Sequence, residues 1–142
     1  MKLSTRSEYA VRALVQLAIG FEKGPMSLRE ISQIENISYQ YLEQIFLDLK
    51  KTKLVDSIRG AKGGYILARS PDQITVGDIV KSVEGPIAPI SCVSDLPSDA
   101  CERSGDCAPR GVWKALRDRI IEVLDEFTLH DLVSPKEGQD IN

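Results

Sequence analysis

The sequence is poor in the residues on which enzyme active sites most often depend. It has one histidine among 142 residues, and it contains neither the G-x-x-x-x-G-K-[ST] phosphate loop nor the H-E-x-x-H zinc motif. No nucleophile can be matched with a neighbouring base. The sequence therefore predicts that the protein is not an enzyme.

Long apolar runs are also missing, since no stretch approaches the ~20 residues that a membrane-spanning helix needs. The first residues, MKLSTRSEYAVRA, mix charges with apolar side chains, unlike a secretory signal. We therefore expect a cytoplasmic protein with no membrane contact. In that compartment three cysteines are more often thiols or metal ligands than disulfides.

A strong net charge is absent too, because the whole chain carries only −3. The charges are unevenly placed, however. Residues 1–81 hold 12 Lys and Arg against 9 Asp and Glu, a net of +3, and residues 82–142 hold 6 against 12, a net of −6. This asymmetry favours a mildly basic DNA-reading part and an acidic remainder.

Residues 27–51 have the pattern of a helix-turn-helix. Ser27 and Glu30 fit a capping box, and Leu28, Ile31 and Ile34 then predict a short buried face. The sequence Glu-Asn-Ile at 35–37 interrupts this helix, and asparagine tolerates the left-handed turn position.

Ser38 is placed to cap the second helix, whose apolar residues follow the i, i+3, i+4, i+7 pattern. The N-terminal part of such a helix reads base edges in helix-turn-helix proteins. The candidate DNA-binding residues of this helix are Ser38, Tyr39, Gln40, Tyr41, Glu43 and Gln44.

Residues 54–59 and 65–68 read as two short strands joined by a glycine-rich turn. This wing carries Arg59, Gly60 and Lys62 outward, where they are candidates for contact with DNA. The alternative is an ordinary pair of helices packed beside a β-hairpin. The basic glycine hairpin at this distance favours DNA binding.

The segments NISYQYLEQIFLDLKK and VDSIRGAKGGYILAR closely resemble the family of winged-helix regulators that includes IscR, NsrR and CymR. The opening KLSTRSEYAVRAL and the later TVGDIVKSVEG resemble the same family. The resemblance covers about residues 1–133. It implies a homodimer that binds double-stranded DNA.

A first helix is predicted from a cap at Ser4 or Thr5 to Gly20. Lys2 and Arg6 at its start are candidates for phosphate contact, with two solvated surface charges as the alternative. Gly85-Pro86 ends a later helix that Thr75 and Asp78 start with a capping box.

The last long helix, GVWKALRDRIIEVLDEF, carries a 3.5-residue apolar repeat typical of helix-to-helix association. The candidate dimerisation residues are Trp113, Leu116, Ile120, Val123 and Phe127. The opposite face, which includes Asp125, is expected to be solvated. The alternative is that the apolar stripe packs on the core of its own chain.

All three cysteines, Cys92, Cys101 and Cys107, fall in a proline-broken loop with the spacing C-x8-C-x5-C. From spacing alone, free thiols, a zinc site and an iron–sulfur cluster all stay open. IscR-like and NsrR-like members bind a cluster with three cysteines in this loop, and CymR-like members lack the trio. The resemblance therefore implies an iron–sulfur cluster on these residues, [2Fe–2S] in preference to [4Fe–4S].

The fourth ligand is open, because Arg110 stands where IscR-like members have a histidine, and a guanidinium only donates. NsrR-like members have an acidic residue near position 8, supplied by the partner subunit, so Glu8 is a candidate. His130, Glu102, Asp106 and solvent are others. The ordinary role of Glu8 would be to stabilise the first helical turn.

Together these features predict a mainly α fold with a small β-hairpin: a winged helix-turn-helix DNA-binding domain and a long C-terminal dimerisation helix. The expected parts are a DNA-binding domain at 1–85, a cluster-binding loop at 86–108, a dimerisation helix and short terminal helix at 109–133, and a disordered tail at 134–142. The resemblance implies a cytoplasmic regulator of cluster-biogenesis genes. A nitric-oxide-sensing repressor and a zinc- or redox-dependent interaction module are the alternatives.

Overall fold

The computed structural model describes residues 3–88 and 108–134. In chain order the elements are α1 (Thr5–Ile19), α2 (Leu28–Glu35), α3 (Tyr39–Lys51), β1 (Val55–Ile58), β2 (Gly64–Leu67), a 3₁₀ turn (Pro71–Gln73), α4 (Val76–Glu84), α5 (Arg110–Glu126) and α6 (Leu129–Val133). This is the predicted mainly helical fold with one hairpin. No helix in these ranges is long and apolar enough to cross a bilayer.

Side-chain hydroxyls start the helices, as the sequence predicts. Ser4, Ser38 and Thr75 each accept a hydrogen bond from a backbone amide in the first turn of α1, α3 and α4. Thr75 forms a full capping box, because Asp78 returns a carboxylate to the Thr75 amide. These caps fix where each helix begins.

The capping box predicted at Ser27 is only half formed. The Ser27 hydroxyl accepts from the Glu30 amide at 3.2 Å, but the Glu30 carboxylate accepts from the Ser27 hydroxyl instead of its amide. The prediction that Ile34 is buried is also wrong, since 57% of it is exposed. At about 100° per residue, Ile34 lies ~120° around α2 from Leu28, which is too far to share its buried face.

The turn of the helix-turn-helix rests on Asn36, which adopts the left-handed conformation with φ 55° and ψ 47°. Its amide donates to the carbonyl of Ser32 and so satisfies a helix end. The prediction of a left-handed asparagine at this position is confirmed.

One hydrophobic core is shared by α1, α2, α3, the hairpin, α4 and α6. Phe46 and Leu129 are among the largest side chains with no exposed surface. Because Leu129 of α6 lies in the same core as α3, this core extends across the domain boundary predicted at residue 85.

The hairpin is antiparallel, with Val55 opposite Leu67 and Ile58 opposite Gly64. It is tied to the loop before α2 by two backbone hydrogen bonds between Met26 and Tyr65, of 3.1 and 2.8 Å. This bridge fixes the wing relative to the helix-turn-helix.

The end of α5 differs from the sequence prediction. Phe127 lies outside the helix in an extended conformation, and its carbonyl accepts from the Val76 amide at 2.8 Å. Asp125 is exposed, as predicted, but it also contacts Thr75 Oγ1 at 3.3 Å and Lys81 Nζ at 3.8 Å at α4. Thr75 and Thr128 form a bridge that holds the two segments together.

Candidate nucleic-acid interface

Helix α3 has one buried face and one exposed face. Leu42, Ile45, Phe46 and Leu49 are completely buried. The candidate reading residues Tyr39, Gln40, Glu43 and Gln44 are all exposed along the first two turns. The structure therefore presents amides, a carboxylate and a phenol on one surface at the N-terminal part of the helix.

Ser38 and Tyr41 have structural roles at the start of α3. The Ser38 hydroxyl accepts from the Tyr41 amide at 3.1 Å. The Tyr41 ring stands edge-on to the ring of Tyr9 in α1, with 5.4 Å between centroids. Tyr41 thus joins α3 to α1, on a different side from Gln40 and Glu43.

A groove runs between the start of α2, the start of α3 and the wing. It is lined by Ser27, Leu28, Arg29, Tyr39, Glu43, Ile58, Gly60, Gly63, Gly64 and Tyr65. It brings the reading face of α3 beside the wing, as a winged helix requires. The reading face of α3 and the wing were predicted separately from the sequence, and their shared groove was not predicted.

Arg29 is a candidate contact that sequence reasoning missed. Its guanidinium carbon lies 5.9 Å from the centre of the Tyr39 ring, a cation–π distance. Arg29 occupies the first turn of α2, and the first helix of a helix-turn-helix crosses the DNA backbone. The position of Arg29 in this first turn is the sequence signal that could have predicted a phosphate contact.

Tyr65 lies in this groove against Phe46, with ring centroids 4.8 Å apart. Burial, and then the negative potential of Tyr39 and Glu43, raise the pKa of Tyr65 above its ordinary value. The phenol therefore stays protonated at neutral pH and keeps its hydrogen-bond donor.

The tip of the wing carries exposed Arg59, Gly60 and Lys62. Gly60 has a φ of 114°, which favours glycine. A Cβ on Gly63 would lie 2.1 Å from the carbonyl oxygen of Ile58, so only glycine fits there. The turn thus displays two cations at the edge of the groove.

Arg6 is bound within the protein. Its guanidinium forms an ion pair with Asp48 of α3 and reaches the carbonyl of Gln44 at 3.5 Å. Arg6 ties the first turn of α1 to α3. The other predicted phosphate contact, Lys2, lies outside the described residues.

Arg12 of α1 holds the turn of the helix-turn-helix. Its Nε lies 2.9 Å from Glu35 Oε1, and its Nη2 donates to the Glu35 carbonyl. Gln16 donates to the other carboxylate oxygen of Glu35. The same guanidinium lies 5.3 Å from the Tyr9 ring centre. One arginine therefore connects α1 with the end of α2 and, through Tyr9 and Tyr41, with α3.

Glu8 lies one turn before Arg12, with 67% of its side chain exposed and Oε1 4.0 Å from Arg12 Nη1. The carboxylate is accessible to a ligand from outside this chain. Cys92, Cys101 and Cys107, with Glu102 and Asp106, lie outside the described residues. Within residues 3–88 and 108–134, no three His, Cys, Asp or Glu side chains are grouped as metal ligands.

Helix α5 packs on α4 but contributes no fully buried residue. Of the predicted seam, Leu116 and Val123 are 43% and 52% exposed, and Trp113, Ile120 and Phe127 are half-buried. Val112, one turn before Leu116, is 62% exposed. These residues give α5 an apolar stripe that the described chain leaves largely uncovered.

Comparison with protein families matches residues 3–135 to Rrf2, described as an iron-dependent transcriptional regulator. The HTH-type transcriptional regulator CymR of Bacillus subtilis is 42% identical over 139 residues, 98% of this chain and 94% of the relative. IscR of Sodalis glossinidius is 39% identical over 141 residues, 99% of this chain and 84% of the relative.

Solved structures give the same two names. The structure of B. subtilis CymR, described as a global cysteine regulator, has a TM-score of 0.79 and covers 96% of this chain and 99% of its own. The structure of T. potens IscR is 39% identical with a TM-score of 0.76, and covers 100% of this chain and 93% of its own. The fold of residues 3–88 and 108–134 is therefore that of these regulators.

Proposed function

Because this chain belongs to the Rrf2 family of transcriptional regulators, we propose that it regulates transcription as a cytoplasmic homodimer whose DNA binding depends on an iron–sulfur cluster. The family resemblance expected from the sequence is confirmed. The relatives are regulators, which agrees with the expectation that the protein is not an enzyme.

The observation that carries DNA binding is the exposed polar face of α3 beside the wing. Gln40 and Gln44 can donate to and accept from base edges, and Glu43 accepts from the amino group of cytosine. Arg29, Arg59 and Lys62 flank this face with positive charge that suits phosphate oxygens. The arrangement favours reading of the major groove with the wing at the backbone or minor groove.

The donor set fits an iron–sulfur cluster. Three thiolates from Cys92, Cys101 and Cys107 are ligands that cluster irons accept, and the exposed carboxylate of Glu8 is available as a fourth from the other subunit. When bound, the cluster supplies a centre that oxygen, nitric oxide or iron shortage can destroy.

The residues of this chain offer a route from Glu8 to the reading face. Glu8 shares Arg12 with Glu35, which ends the first helix of the helix-turn-helix. If the Glu8 carboxylate bound a ligand elsewhere, Glu35 would be the only one of these two carboxylates still paired with Arg12. A change in the α1–α2 contact would then bias the position of α3, provided that the two states differ in affinity for the cluster.

The test is to replace Cys92, Cys101 and Cys107 with alanine and compare the variant with wild type purified without oxygen. Wild type should be coloured, contain iron, and change its DNA affinity when the cluster is removed. The variant should bind DNA as cluster-free wild type does. Equal DNA affinity of loaded and cluster-free wild type would end the sensing proposal but leave DNA binding intact.

Two alternatives have specific support. The 42% identity to CymR favours a regulator that responds to cysteine supply, although the trio of cysteines argues for a cluster. Glu8 with Arg110 in place of a histidine favours a nitric oxide sensor. Bleaching of the spectrum by nitric oxide, with loss of DNA binding, would identify the latter. Purified protein that contains zinc but no iron, and that does not bind DNA, would instead be the zinc- or redox-dependent interaction module.

A further inference from the structure

Leu47 is an apolar side chain on the exposed face of α3, opposite the core. It is 51% exposed, although three of its apolar neighbours in the helix, Ile45, Phe46 and Leu49, are completely buried. Gln44 and Lys51, one turn before and one turn after it, are both exposed and polar. Its apolar surface is therefore available for contact with a partner molecule.

The position of Leu47 continues the candidate reading residues. Gln40, Glu43, Gln44 and Leu47 stand at i, i+3, i+4 and i+7 along α3. The third helix of homeodomains reads the major groove with side chains at this same spacing. Seven residues of helix span ~10.5 Å, which is about three base-pair steps of 3.4 Å. All four side chains therefore fit one pass of a helix through the groove.

We propose that Leu47 is a specificity-determining residue that contacts the C5-methyl group of a thymine in the operator. The inference rests on the proposed DNA-binding function and adds the base that this side chain selects. The thymine methyl is the apolar group that base pairs present in the major groove, and an aliphatic side chain is its natural partner. Cytosine at the same position offers no methyl group.

The chemistry around Leu47 favours DNA over a protein partner. Its neighbours on this face are Gln40, Glu43, Gln44, Lys50 and Lys51. One leucine among amides and charges is far smaller than the apolar patches that mark protein interfaces. Lys50 donates to Ser57 Oγ at 2.7 Å, which orients this cation toward the wing.

The experiment first selects bound duplexes from a randomised DNA library with the full-length wild-type protein, loaded and cluster-free. Each thymine of the selected site is then replaced in turn by deoxyuridine, which removes only the methyl group. Binding of wild type and of Leu47→Ala to every duplex is measured at fixed salt. Ile34→Ala is the matched control, because Ile34 is equally exposed but lies on α2.

Wild type should lose about fourfold in affinity at one thymine of each half-site, as expected for one buried methyl group. Leu47→Ala should lose a similar factor on the thymine duplex and nothing further on the deoxyuridine duplex. Ile34→Ala should respond to deoxyuridine as wild type does. Melting temperatures should stay unchanged for both variants.

Two results would overturn the inference alone: no deoxyuridine effect at any position, or additive losses from Leu47→Ala and deoxyuridine at every position. Loss of the dimer in Leu47→Ala, seen by sedimentation, would assign the residue to a protein contact and overturn it as well. If the selection enriches no duplex in either state, the proposed function fails, and this inference fails with it.

Discussion

Two exposed glutamates, Glu43 and Glu84, have different surroundings in this protein. Glu43 stands on the reading face of α3, where its charge repels phosphates and its oxygens can accept from cytosine. Glu84 ends α4, and its Oε1 accepts from the Ser4 amide at the start of α1 at 2.8 Å. The first glutamate is placed for recognition and the second for holding two helices together.

Replacement of Glu43 by alanine should broaden the range of bound sequences and leave overall affinity within a few-fold. We expect the carboxylate to reject wrong bases, since a good base contact is worth about 1–3 kcal/mol of discrimination. Selection from a randomised library, followed by titration of single-base variants, measures this. Arg59→Ala is the control, since loss of a phosphate contact should weaken binding to all sequences alike and reduce its salt dependence. A uniform loss with Glu43→Ala would contradict the assigned role.

Glu84 predicts an acid-sensitive contribution to stability. Burial alone would raise the pKa of Glu84, but hydrogen bonding by the Ser4 and Ser7 hydroxyls and by the Ser4 amide outweighs burial and holds the pKa below its ordinary value. A carboxyl with a lowered pKa in the folded state stabilises that state above the unfolded pKa of about 4.3 and loses this contribution as pH falls.

Wild type should therefore be more stable than Glu84→Gln at neutral pH, and the difference should shrink as pH falls below about 4. Urea unfolding at several pH values measures it. A difference that is constant with pH would show that the charge of Glu84 does not contribute. Glu43→Gln, on the reading face, serves as the comparison.

At the scale of elements, the wing depends on a turn in which backbone packs on backbone. A Cβ at Gly63 would meet the Ile58 carbonyl oxygen at 2.1 Å and the Gly60 carbonyl oxygen at 2.9 Å. Carbonyl groups of a short hairpin cannot move aside as a flexible side chain can. The shape of the turn by itself therefore requires this glycine.

Gly63→Ala should deform the wing and cost about 1–3 kcal/mol of folding free energy. DNA affinity should fall with it, because Arg59 and Lys62 change position. Gly111→Ala is the matched control: it lies in the first turn of α5 with nothing within 4 Å of the added methyl, and should leave stability unchanged or slightly raised. Chemical denaturation measures the folding free energy of both variants, and a binding titration measures their DNA affinity. Equal behaviour of the two would refute the steric argument.

At the scale of the whole molecule, the apolar stripe of α5 is the surface on which we expect a second copy of this chain. The stripe includes Leu116 and Val123, which are about half exposed. Two reading heads about 34 Å apart would meet successive major grooves, so association would raise affinity for a symmetric operator.

The double substitution Leu116→Glu and Val123→Glu should convert the dimer to a monomer and weaken operator binding by at least tenfold, because each half would bind alone. Sedimentation gives the association state and titration gives the affinity. Glu122→Gln, on the opposite side of α5, should change neither. A dimer that survives the double substitution would show that the subunits associate elsewhere.

The sequence predicted most of the scaffold correctly because its signals are local. Caps at Ser4, Ser38 and Thr75 and the left-handed Asn36 each depend on a few neighbouring residues. The errors had two sources: the rotation of side chains around a short helix, and a hydrogen bond between residues far apart in the sequence. Ile34 rotates off the buried face of α2, and Phe127 leaves α5 because its carbonyl is needed by Val76.

The candidate site was only partly predictable for the same reason. The exposed face of α3 follows from its apolar repeat, whereas the pairing of Arg29 with Tyr39 depends on how α2 and α3 cross. Nothing near Arg6 in the sequence indicates that Asp48, 42 residues later, binds its guanidinium.

The core placement of Leu129 has a consequence for how the protein is made. Leu129 is completely buried, and its amide donates to the Ile74 carbonyl at 2.9 Å. A nascent chain leaves the ribosome with its N-terminus first, so the DNA-reading helices emerge long before this last piece of their core. Until residue 129 has emerged, α1 and the 3₁₀ turn lack the surface of α6 against which they pack. The core that holds α3 in place is therefore complete only after residue 129 has left the ribosome.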